Sequence, residues 1–159
     1  MKKALLLVFA SILIFSGCGN KEVETKKRKD TISENEIMEY FERLLEPFVE
    51  LSNVKTDKQA LEALKVLDDI SIEISRELKR EYEKDIHAVN DLIALADTFR
   101  DIVNAAEEEP LFINDYYDEV GNHIFKISIE YLDGDLPDNY AKVIGVKNLY
   151  DLREWKNKN

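Results

Sequence analysis

The chain has one cysteine, three prolines and five glycines in 159 residues. A single cysteine excludes an intramolecular disulfide and any zinc site built on paired cysteines. Neither glycine nor proline occurs between Thr56 and Pro110, so periodicity alone permits one very long helix there. No apolar run approaches the about 20 residues that a membrane-spanning helix requires. Positive charge is scarce as well: 22 Lys and Arg stand against 33 Asp and Glu, a net charge of −11. Such a surface repels phosphate backbones, which speaks against DNA or RNA as a partner. No G-x-S-x-G, Walker loop or H-E-x-x-H occurs, and there are only two histidines. The expectation is a protein without cofactor and without enzymatic activity.

Hydrophobic residues make up 45% of the chain, enough for one ordinary core, and charged residues 35%, which suits helices with a solvated face. The N-terminus is organised differently. Lys2 and Lys3 precede an apolar stretch from Ala4 to Phe15, interrupted only by Ser11, and the segment ends Phe15-Ser16-Gly17-Cys18. Short positive head, brief apolar core and small residues before a processing point are the marks of an export leader.

These eighteen residues resemble the signal peptide and lipobox of bacterial lipoprotein precursors. The resemblance implies that residues 1–17 are removed and that Cys18, carrying a diacylglyceryl group, becomes the mature N-terminus. It also implies a lipid-anchored protein on the cell membrane or outer membrane, facing away from the cytoplasm. Two or more acyl chains hold stably where one binds only reversibly. Loss of the leader leaves 20 basic against 33 acidic residues, a net charge of −13.

Residues 18–31 read as the lipidated cysteine and a polar tether, with a basic run Lys26-Lys27-Arg28-Lys29 that either solvates or touches anionic headgroups. A single domain over 32–159 follows. Ser33 and Glu36 have capping-box spacing, with Ile32 and Ile37 set for a hydrophobic staple. Ile37, Phe41, Leu44, Phe48 and Leu51 then recur at helical spacing, through a kink expected at Pro47, to an end near Ser52-Asn53. Thr56 and Gln59 form a second box. Leu61, Leu64, Leu67, Ile70, Ile74 and Leu78 are the expected buried positions after it, and Tyr82, Ile86, Val89, Ile93, Ala96, Phe99 and Val103 continue the pattern. The charged segment Lys79–Asp85, with Asp85 as cap, is the natural place for a break into two antiparallel helices; one continuous rod is the alternative.

Residues 110–159 are richer in aromatics and glycine than 32–109. Ile124–Tyr131 alternates, with Phe125, Ile127, Ile129 and Tyr131 on one side, and predicts a strand paired with Leu111–Tyr117 across a turn at Asp118–Asn122. Lys142–Val146 predicts a third short strand. Asn148 is placed to cap a last helix carrying Leu149, Leu152 and Trp155. The fold class expected is therefore mainly α, an antiparallel bundle of about three helices with a small β-rich C-terminal segment.

Candidate chemistry is thin. Glu83, His87 and Asp91 recur at i, i+4 and i+8, a spacing at which a helix face can hold a divalent metal, although acids are common enough here for a solvated face to account for it. Asp133-Gly134-Asp135-Leu136-Pro137-Asp138 resembles part of a calcium loop but lacks the twelfth-position Glu, a place taken by Ile144, and reads better as an acidic turn. His123 has no nucleophile motif beside it. The function expected is a membrane-anchored interaction module binding a protein or envelope component. A small-ligand or cation-binding lipoprotein is the alternative, and an enzyme on envelope polymers the third reading.

Overall fold

The Ser33 side chain accepts a hydrogen bond from the Glu36 amide, and the Glu36 carboxylate returns one from the Ser33 amide at 2.9 Å. That reciprocal box opens the first helix of a computed structural model that describes residues 27–108 and 113–151. The leader 1–17, Cys18, the tether to residue 26, Leu111, Leu152 and Trp155 lie outside the described residues.

Five named helices follow one another: α1 (Glu34–Leu51), α2 (Asp57–Glu81), α3 (His87–Glu108), α4 (Ile113–Tyr131) and the short α5 (Asp138–Ile144). Helix α1 runs through Pro47 and is capped at Ser52, whose hydroxyl donates to the Val49 carbonyl at 2.6 Å. Thr56 caps α2, and Gln59 reaches back to the Lys55 amide at 3.1 Å, one residue before the partner of an ideal box. Helix α2 ends at Tyr82, which turns extended. The two helices therefore separate across residues 82–86, within the charged segment where a break was expected. Helix α3 begins at His87 with the Ile86 carbonyl accepting from the Asn90 amide, so Ile86 and not Asp85 is the flanking residue.

Helix α3 is the centre. It packs on α1, α2 and α4, while α5 packs on α1. Leu92, Leu95, Ala96, Phe99 and Ile102 have no exposed surface, nor do Phe41, Leu44 and Leu45 of α1 or Leu67, Ile74 and Leu78 of α2. Full burial of each large side chain contributes ~1.5–3 kcal/mol, so these contacts dominate the stability of the bundle. Phe48 of α1 stacks on Phe99 of α3, ring centroids 5.0 Å apart. Leu61 departs from expectation. It is 68% exposed, and no residue from Asp57 to Val66 is fully buried, although Leu64 packs against the core.

The β-rich C-terminal segment is not found. Residues 113–131, which hold the expected hairpin turn and its second strand, form one helix, and 138–144 form another; among the described residues the only β pairing is two isolated bridges. Alternation over Phe125–Tyr131 misled because it is short. Across the whole helix Val120, Ile124, Ile127 and Tyr131 recur at intervals of four, three and four and face the core, whereas Phe125 is 58% exposed. The packing available on α3 overrides local β preference.

After α4 the chain reverses at Asp133 and Gly134, both with positive φ. Gly134 is required there on two grounds: its φ is +84°, and a Cβ would lie 2.7 Å from the Tyr150 ring. Asn148 holds the reversal. Its amide donates to the Asp133 carbonyl and the Asp135 carboxylate, and its side-chain oxygen accepts from the Tyr150 amide, as expected of a helix cap.

Two hydroxyls are buried without a partner among the described residues, those of Ser71 on α2 and Ser128 on α4. An unsatisfied buried hydroxyl costs ~1–3 kcal/mol, so its removal relieves a penalty and leaves only a small void. Ser128→Ala should leave the thermal midpoint unchanged or raise it, by up to ~1 kcal/mol of stability. A clear loss of stability on calorimetry would mean that the hydroxyl has a partner.

Candidate functional site

The richest polar constellation lies where the N-terminal segment meets the α2–α3 elbow. Lys29 pairs as an isolated parallel bridge with Tyr82: its amide donates to the Glu81 carbonyl at 2.7 Å, and its carbonyl accepts from the Glu83 amide at 2.9 Å. The Lys29 ammonium lies 2.6 Å from Glu36 Oε1, and the Tyr82 hydroxyl donates to the same oxygen at 2.9 Å. Lys29 Nζ also sits 5.0 Å from the centre of the Tyr82 ring, within cation–π range. Tyr40 meets Tyr82 edge to face at 6.4 Å. The chain thus joins the bundle at Lys29, ahead of the boundary at residue 32 that composition suggested.

These contacts fix protonation. The hydrogen bond from Lys29, followed by those from Ser33, holds the Glu36 carboxyl down at about 2. Lys29 is raised in return, first by Glu36 and then by Tyr82. The Tyr82 phenol is raised by burial and by its bond to Glu36. A second network of the same kind joins α3 to α4. Asp91 of α3 accepts from Lys126 Nζ at 2.7 Å and from the Tyr131 hydroxyl at 2.6 Å, both on α4. The bond to Asp91 raises Lys126, while burial followed by that bond raises Tyr131.

This arrangement separates the metal candidates. Glu83 belongs to the elbow and not to the helix, so Glu83, His87 and Asp91 do not share one helix face, and Asp91 is taken by Lys126 and Tyr131. Among the described residues no group of three or more His, Cys, Asp or Glu side chains is placed to hold a metal. The Asp133–Asp138 segment is a turn that spends the Asp133 carbonyl and the Asp135 carboxylate on Asn148. His123 lies part-exposed on α4.

Three of the open surface clefts among the described residues are lined as follows. One of about 380 Å³ borders the elbow, with Ile32, Ile37, Ile86 and Tyr131 beside Asp30 and Asp85. Another, of about 340 Å³, lies between Met38, Glu42 and the Asp135–Asp138 turn. The third, about 310 Å³, is at the opposite end of the bundle, where Val54, Ala63 and Val66 are flanked by Glu50 and Glu62. Leu61 and Val66 are exposed at that same end. No described helix is long and apolar enough to cross a membrane.

Comparison with protein families, curated proteins and solved structures finds no match to this chain.

Sequence reasoning identified the Ser33–Glu36 box but missed Lys29 and Tyr82 as its partners. The available signal was Tyr82 itself, a large aromatic in an otherwise charged break, which something had to cover.

The Glu36 shift has a measurable sign. Its folded value lies below the ordinary 4.5, so its contribution is complete above pH 4.5 and is lost as pH falls towards about 2. Glu36→Gln should flatten the acid limb of the stability curve over that interval. Parallel acid limbs in the two chains, followed by chemical denaturation, would show that the charge on Glu36 contributes nothing.

Proposed function

We propose that this protein is a lipid-anchored interaction module at the bacterial cell envelope, held by a diacylglyceryl group on Cys18 and binding a protein or envelope component. The anchor reading rests on the leader and the Phe15–Cys18 segment alone. The single observation that supports an interaction role is the outer end of α2. Val66 is 42% exposed there, in a cleft with Val54 and Ala63 that Glu50 and Glu62 flank, while Leu61, 68% exposed, lies on another face of the same turns. Exposed aliphatic groups rimmed by charge are a common composition for a transient contact surface. Catalysis is not favoured: the ordered carboxylates Glu36, Glu77 and Asp91 are bonded to lysine, arginine or tyrosine side chains.

Both halves can be tested in living cells. Cys18→Ala should abolish incorporation of labelled palmitate and release the protein from membranes or leave the precursor unprocessed. A photo-crosslinking residue replacing Val66 should yield discrete adducts that are absent when it replaces Asn104, exposed on α3. Normal labelling and fractionation of Cys18→Ala would remove the anchor. An equal crosslinking pattern at the two positions would remove the contact surface.

A further inference from the structure

We propose that the Lys29 clamp sets the orientation of the domain on the membrane, with the α2–α3 elbow inward and the Val49–Thr56 end outward; this rests on the reading that Cys18 carries the lipid. A domain hung from one lipidated residue is free to swivel about the point where its tether ends. Here that point is fixed. Two backbone hydrogen bonds to the elbow, an ion pair to Glu36 and the face of the Tyr82 ring all hold Lys29. The chain therefore leaves the bundle beside residues 81–83, at one extreme of its long axis.

Dimensions alone do not choose the near end. Cys18 lies eleven positions before Lys29, a reach of at most ~40 Å when fully extended. The 25 residues of α2 then carry the chain ~37 Å from the elbow to its start. Charge makes the choice. Lys27 and Arg28, both exposed, directly precede Lys29 at the elbow, and anionic headgroups attract each of them. Glu39, Glu42, Glu46 and Glu50 form an exposed acidic line on α1 that leads away from it. A domain lying flat on α1 would press that line against anionic lipid, whereas an upright one withdraws it by more than a screening length. Upright placement also presents Leu61 and Val66 away from the bilayer.

The test uses the full lipidated chain, reconstituted in vesicles of three parts phosphatidylcholine to one part phosphatidylglycerol, with a nitroxide on a fraction of the headgroups. A fluorophore is attached at Lys84→Cys on the elbow or at Lys55→Cys on the opposite end, Cys18 being blocked by its thioether. Quenching at position 84 should exceed that at position 55 several-fold, and Lys29→Pro, which removes both the amide and the ammonium, should bring the ratio close to one. Equal quenching at the two positions in the native chain overturns the proposal, whatever Lys29→Pro does to folding. An unchanged ratio in Lys29→Pro also overturns it; if that chain melts early, Lys29→Ala combined with Glu36→Gln is read in its place. Failure of the chain to float with the vesicles, measured before any fluorescence, removes the lipid reading and the orientation with it.

Discussion

Helix α3 turns apolar side chains towards α1, α2 and α4 at once, and Leu92, Leu95, Phe99 and Ile102 retain no solvent contact. A helix that is apolar on most of its circumference has no stable existence in water and must be covered. Each neighbour therefore supplies one stripe and keeps its other face charged. Ala88 and Ala96, both buried, are small residues where the neighbouring helices close on α3. The alternation of stripe and charge in α1, α2 and α4 follows from that single need.

Cations are few, and several stand at joints. Arg43 of α1 reaches Glu73 and Glu77 of α2, Arg100 of α3 reaches Asp68 of α2, Lys126 of α4 reaches Asp91 of α3, and Lys29 reaches Glu36. Exposed pairs of this kind contribute ~0–1 kcal/mol each, so they select register more than they stabilise. Asp91 is the exception in degree, its side chain only 14% exposed. Most of the other described acids are exposed, giving a surface of one dominant sign.

The helical part was legible because its signals are local and redundant. Ser33-Glu36 and Thr56-Gln59 fixed two starts, and Ile37–Leu51 repeated over enough turns to fix a face. Four things were not legible. The exposure of Leu61 depends on which helix covers the start of α2, which periodicity cannot say. The β reading of Ile124–Tyr131 came from a window too short to distinguish a period of two from one of 3.6. The Lys29–Glu36–Tyr82 joint links residues 46 and more positions apart through a single strand-like pair, with no repeating pattern to reveal it. The metal spacing at Glu83, His87 and Asp91 presupposed a helix that begins four residues later.

The uncovered start of α2 has a kinetic meaning. From Asp57 to Val66 no side chain is fully buried and Leu64 alone packs against the core, so this stretch can open at a free-energy cost below that of global unfolding. Its amides should exchange with solvent through local fraying, ahead of those in Leu67–Leu78. A partner seated at Val66 would meet a surface that is formed only part of the time, and its apparent affinity would be lowered by that fraction. Helix formation here and partner binding would then be one coupled equilibrium, in which occupancy is read as a rise in local protection rather than as a movement of the bundle.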